Sequence, residues 1–170
     1  MKTSTLTLRH PIDKSRYLHQ VWKILVHAYS NVEGGLLFAD ELDLLRKTSI
    51  WKIATIDGRV VAVTVFKSKY GQKLVAMGID GTYDKPSEAK AALAKLIESS
   101  LERAWMEVSE AAESFIMKYC RGEKYLIHHS ELSRYLDKWI DATADGYHYV
   151  RHIAGIQKVK IAIGTPGYLL

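Results

Sequence analysis

Residues 50–62 read Ile50-Trp-Lys-Ile-Ala-Thr-Ile-Asp57-Gly58-Arg-Val-Val-Ala62. Two β-rich runs, Ile50–Ile56 and Val60–Phe66, meet at an Asp-Gly dipeptide, the pair that best tolerates the positive φ of a tight hairpin turn. Tyr70-Gly71 marks a second turn and Gln72–Ile79 a third run, so the spacing predicts an antiparallel meander over 50–79. Outward from it, Pro86 opens a helix over Ser87–Arg103, with Leu93, Leu96, Ile97 and Leu101 as the buried stripe. Upstream, Asp40–Leu45 reads as a short helix with carboxylates in its first turn, where the helix dipole favours them. Ser30–Phe38, with Gly34-Gly35, is loop. Asp13 is expected to cap a helix carrying Leu18, Val21, Leu25 and Ala28, and Thr5-Leu-Thr-Leu-Arg9 alternates as a strand. Downstream come a strand at Trp105–Val108 and helices at Ser109–Tyr119 and Ser130–Ile140. Tyr147–Ile153 and Val159–Ile163 close the chain as an expected β-hairpin.

The chain has 170 residues, 48% of them apolar and 25% charged, the balance of a soluble globular domain. One domain over 1–170 is expected, since nothing reads as a linker or repeat. A single cysteine, Cys120, excludes an internal disulfide framework and a Cys-based zinc cluster. No apolar run approaches the ~20 residues that cross a bilayer. The opening MKTSTLTLRH alternates rather than forming a continuous apolar segment, so no secretory leader is read there. A cytoplasmic protein with no membrane partner is expected. The net charge of +5 admits nucleic acid as a partner, and equally a cofactor carrying several phosphates.

The succession β α α β β β α β α (α) β β resembles the GNAT superfamily of acyl-CoA N-acyltransferases over nearly the whole chain. Two local stretches carry the likeness. Trp51–Ala62 is similar to the GNAT hairpin with its polar turn. Val108–Lys118 is similar to the family's fifth strand running into its fourth helix, with Ser109 where the family often has Asn. Between the fourth strand and third helix, GNAT enzymes usually carry Arg/Gln-x-x-Gly-x-Gly/Ala. Here that place reads Gly78-Ile-Asp80-Gly81-Thr82-Tyr83-Asp84-Lys85-Pro86-Ser87: two glycines, a lysine and a helix start, without the motif. The resemblance implies an α/β fold: a mixed, mostly antiparallel sheet flanked by helices, ending in a β-hairpin.

It also implies an N-acyltransferase that moves an acetyl or other acyl group from acyl-CoA to an amine on a small molecule or protein. Backbone amides around Met77, Gly78 and Ile79 would polarise the thioester. Gly81, Thr82, Lys85 and Ser87 would hold the pyrophosphate at a helix N-terminus, where amides and dipole favour anions. Asp80 and Glu107, flanking the splay between the fourth and fifth strands, are the candidate bases for the amine proton. Tyr119 lies one turn past Ile116, which stands where many members have a proton-donating tyrosine, and could supply that acid. Each has a plainer reading: Asp80 as a turn former, Glu107 as a strand carboxylate facing a lysine, Tyr119 as a packed aromatic.

His128-His129 and His148/His152 do not make a metal site. Adjacent histidines diverge, and four residues along a strand separate side chains by about 13 Å. Tyr147, Tyr149 and Arg151 share one strand face and could stack on a base or line an acceptor pocket. Two rival functions stay open beside the enzyme. One is a GNAT-like fold without catalysis, serving as a structural or partner-binding protein; in any of these readings the chain could self-associate into a homo-oligomer. The other is a GNAT-like enzyme acting on nucleic acid.

Overall fold

The computed structural model describes residues 2–31, 35–68, 72–99, 104–108, 115, 118–119, 124–128 and 159–163. The chain divides into two compact units, Met1–Lys67 with Leu74–Ser99 and Ser68–Lys73 with Ser100–Leu170. In the first, β1 (Thr3–Leu8) is followed by helices α1 (Pro11–Ser15), α2 (Leu18–Tyr29) and α3 (Glu41–Arg46), then strands β2 (Ile50–Ile56), β3 (Arg59–Ser68) and β4 (Gln72–Ile79), and helix α4 (Pro86–Glu98). The strands lie in the order β1-β2-β3-β4. The second unit holds β5 (Ala104–Val108), β6 (Lys124–His128) and β7 (Val159–Ile163), with β7 between the other two and antiparallel to both.

The Asp57-Gly58 turn does what its sequence predicts. Both residues have positive φ, 48° and 83°, and Ile56 pairs with Arg59 directly across it. Two residues further on the register slips: Ala54 faces Ala62 while Thr55 faces Val60. The unpaired residue is Val61, a bulge that strengthens local twist. Its carbonyl accepts from the Asp80 amide at 2.8 Å, so the bulge fixes the far end of β4.

The strand β3 is buried on both faces for most of its length, which explains its near-continuous apolar run. Against one face α2 brings Val21, Ile24 and Leu25 into a core with Trp51, Ile53, Val63 and Val65. Ala89, Leu93, Leu96 and Ile97 of α4 are buried as well, and α4 packs on β2. The inward stripe read from the sequence is thus correct as far as Ile97; Leu101 and Arg103 lie outside the described residues.

Three expectations change. The helix expected after Asp13 is two helices, α1 and α2, with Asp13 inside the first and His10 at its cap. The periodicity hides the break because Lys14, Leu18, Val21 and Leu25 keep a helical spacing across it. The chain simply tightens one turn, with the Tyr17 amide on the Lys14 carbonyl at 3.0 Å. The strand β6 was not expected at all; its apolar part is only Tyr125-Leu-Ile127, too short to separate strand from helix by period. Finally, α4 ends at Glu98. Of the expected terminal hairpin, Val159–Ile163 is the strand β7, and Tyr147–Ile153 lies outside the described residues. So do the Tyr70-Gly71 turn and the helix at Ser130–Ile140.

Candidate functional site

β4 runs into α4 through Asp80–Lys85, and this junction carries most of the sequence-predicted site. Asp80 anchors it. Its Oδ2 accepts from Arg59 Nε at 2.7 Å and lies 2.6 Å from Arg59 Nη2. Its Oδ1 accepts from the Thr82 amide at 2.9 Å and the Thr82 hydroxyl at 2.7 Å, closing an Asx turn. Arg59 also donates to Thr82 Oγ1 at 2.6 Å and lies 5.5 Å from the Tyr83 ring centroid. The Tyr83 hydroxyl in turn donates to Glu88 at 3.2 Å.

Desolvation pushes the Asp80 carboxyl up, but the Thr82 and Arg59 hydrogen bonds and the guanidinium charge outweigh it. The net direction is below the ordinary carboxylate value of 3.8. A carboxylate held ionised by four donors is a weak proton acceptor and a strong loop anchor. Asp80 therefore contributes stability that is fully present above its unfolded pKa and is lost as pH falls through the lower folded value. Asp80→Asn is expected to cost about 1 kcal/mol near neutrality, because Arg59 is half exposed and solvent screens the pair. Urea melts should show the difference from wild type closing as the pH falls below the ordinary carboxylate value of 3.8 and through the lower folded value. A gap that persisted unchanged in acid would assign the loss to packing instead.

The other predicted residues divide by role. Gly78 is buried under α2: a Cβ there would lie 2.9 Å from the Ala28 Cβ and 3.0 Å from Ile24 Cγ2. Gly81 is exposed, with the His27 ring directly over it; a Cβ would come within 2.5 Å of Nε2. Thr82, Lys85 and Ser87 are exposed. Lys85 is the N-cap of α4 and makes no capping bond with its side chain, while Pro86 fills the first turn. Its ammonium lies 3.8 Å from Glu88.

Met77 and Ile79 present their amides along the edge opposite β3, because the Asp80 amide faces β3 and directions alternate along a strand. The Met77 amide donates to the hydroxyl of Tyr29 at 3.1 Å. Burial raises the Tyr29 pKa, and the amide donation partly offsets that. No sequence signal singled out Tyr29, Arg59 or His27. Each reaches the junction from an element 20 or more residues away in the chain, which a local motif cannot show.

In the second unit, Glu107 stands opposite Lys160 in the β5–β7 register, the strand-carboxylate arrangement that the sequence allows. Tyr119 is helical and exposed, its ring 5.0 Å from Phe115 and 5.3 Å from the Lys118 ammonium. Tyr147, Tyr149 and Arg151 lie outside the described residues.

No family model matches the sequence. No curated protein matches it either. Solved structures do match. The diaminobutyrate acetyltransferase of Paenibacillus lautus, determined with L-2,4-diaminobutyric acid and coenzyme A, is 14% identical, with 96% of each chain covered and a TM-score of 0.53. A ribosomal-protein alanine N-acetyltransferase of Escherichia coli is 14% identical over 99% of both chains, with a TM-score of 0.51. The AHL synthase LasI is 13% identical over 95% of this chain and 89% of its own, at 0.54. The antiparallel sheet and flanking helices agree with the fold that the resemblance implied: the chain has the fold of the GNAT acetyltransferases.

Proposed function

We propose that this protein is an N-acyltransferase that uses a coenzyme A thioester, acetyl-CoA or another acyl-CoA, as donor. The observation that carries the reading is the end of β4, where the Met77 amide is directed away from β3, onto the Tyr29 hydroxyl, three residues before the turn that leads into α4. An amide in that position can donate to a carbonyl oxygen. In the first turn of α4, Pro86 has no amide hydrogen, and the Glu88 and Ala89 amides donate to the Lys85 carbonyl. The turn therefore offers a pyrophosphate the Ser87 amide and a positive dipole, and Lys85 adds a cation. The matched acetyltransferases support the same reading by their names and, for the Paenibacillus enzyme, by its bound coenzyme A.

In this reading the amine nitrogen bonds to the thioester carbonyl carbon and the C–S bond breaks. The nitrogen gives up one proton and the sulfur gains one, so the products are an amide and a free thiol. Asp80, already saturated with donors, holds the loop. Glu107 is the proposed acceptor of the amine proton and Tyr119 the proposed donor to sulfur, each tested by its own substitution to Gln or Phe.

Calorimetric titration with coenzyme A is the direct test, followed by a thiol-release assay with acetyl-CoA and a panel of primary amines. Binding without turnover for any amine would favour the non-catalytic, partner-binding alternative. Glu88 supplies a sharper check on the pyrophosphate site. Its carboxylate competes for Lys85 and puts negative charge beside the helix start. Lys85→Glu is expected to weaken coenzyme A binding by about 1–2 kcal/mol, the scale of a charge-assisted contact, and Glu88→Gln to strengthen it by up to about 1 kcal/mol. Stability should change little in the lysine variant, because the side chain is exposed. Equal affinities in all three proteins would move the phosphates elsewhere.

A further inference from the structure

The hydrogen bond between Met77 and Tyr29 sets a condition on the donor that the proposed function does not by itself contain. An amide has one hydrogen, and here it is directed to a phenol oxygen at 3.1 Å. A carbonyl oxygen that is to be polarised by that amide needs the same hydrogen from the same direction. Tyr29 is the last residue of α2, and the next residue, Ser30, turns back on the His27 carbonyl through both its amide and its hydroxyl. The helix is held tightly one turn earlier, where Ile24 and Ala28 close on Gly78. The backbone is thus clamped to β4 through Ala28, while the Tyr29 ring, half-buried against the core, stands at the last helical residue, so opening the contact asks only the ring to shift and not a further helical turn.

We propose that the Tyr29 hydroxyl is a built-in competitor for the acyl carbonyl: it occupies the Met77 amide until an acyl-loaded donor displaces it, and so lowers the protein's preference for acyl-CoA over free coenzyme A. This rests on the acyltransferase reading above. Free coenzyme A has no carbonyl at the sulfur, so it can bind through its phosphates with Tyr29 in place. Acyl-CoA must open the contact, and its apparent affinity is reduced by the fraction of molecules in which the amide is free. The phenol stays protonated at neutral pH, since burial raises its pKa. The competing group is then a neutral hydroxyl, and the net strength of such a bond sets the scale.

Titrating wild type and Tyr29→Phe with acetyl-CoA and with coenzyme A tests the inference. Phenylalanine keeps the ring and removes only the competing oxygen. Acetyl-CoA affinity is expected to rise about three- to tenfold in the variant, with coenzyme A within about twofold in both proteins. A variant in which both affinities move together, neither moves, or acetyl-CoA weakens overturns the inference while leaving the acyltransferase reading in place. Failure of either ligand to bind wild type removes that reading and the inference with it. If Tyr29→Phe does not fold, the Met77 amide resonance of the wild-type protein decides. Acetyl-CoA must shift it and coenzyme A must not; the same response to both ligands overturns the competition.

Discussion

Trp51→Ala is expected to lose about 3–5 kcal/mol of stability, the cost of emptying a large aromatic site in a close-packed core. The ring is fully buried in β2, opposite Leu8 of β1 and Val65 of β3. Its indole Nε1 donates to the Ser49 hydroxyl at 3.1 Å. Above the ring, 5.2 Å from its centroid, lies the ammonium of Lys14, which is 1% exposed and donates to the Ser49 carbonyl at 2.5 Å. Removing the indole therefore opens a cavity and also strips the buried cation of its aromatic face. Burial holds the Lys14 pKa below 10.5. Between that lowered value and 10.5 the unfolded chain binds more protons than the folded one, so stability rises with pH across the window. Urea melts of wild type as the pH rises toward 10.5 should show that rise, and Lys14→Met should abolish it while retaining most of the packing. If Trp51→Ala loses less than about 2 kcal/mol, the core has collapsed into the space.

The contrast between Asp57-Gly58 and the α1–α2 break shows what is legible in this sequence. A turn that needs positive φ at two successive residues demands a rare pair of amino acids, so it announces itself, and the strands on either side follow from it. A tightened turn inside a helical pattern demands nothing of composition. The stripes of α2 and α4 were readable because burying one helix face imposes a period. The strand β6 was not, being three apolar residues long in its core. At the junction of β4 and α4, Gly78, Gly81 and Lys85 were singled out only by the resemblance, as residues standing where the family carries its glycine motif. Their roles were not legible. Gly78 is required by the approach of α2, Asp80 is bound by an arginine 21 residues earlier, and Tyr29 looks like any helix-end aromatic until β4 is placed beside it. Local sequence shows backbone demands, while the partners that decide a side chain's chemistry come from elsewhere in the fold.

Gly78→Val is expected to cost about 1–3 kcal/mol or more, through overpacking rather than loss of contact. An alanine Cβ at this position would already lie 2.9 Å from the Ala28 Cβ and 3.0 Å from Ile24 Cγ2, and 3.4 Å from the Ile24 carbonyl. None of these atoms is the far end of a flexible chain. Ala28 and Ile24 are fixed to the α2 backbone, so the whole helix must retreat. That retreat would carry Tyr29 away from Met77, linking a stability defect to the Met77 amide one residue along the strand. A double-mutant cycle separates the two effects. Ala28→Gly removes the nearest carbon at a cost of about 1 kcal/mol in helix propensity. Combined with Gly78→Ala, it should recover part of the alanine penalty, giving a favourable coupling above about 0.5 kcal/mol. Additive losses would mean that α2 can shift without strain, and that the glycine serves the backbone of β4 instead of the close approach of α2. If the coupling is present, Gly78→Ala alone should also shift the Met77 amide resonance, because the clamp that sets the Tyr29 position has been forced open.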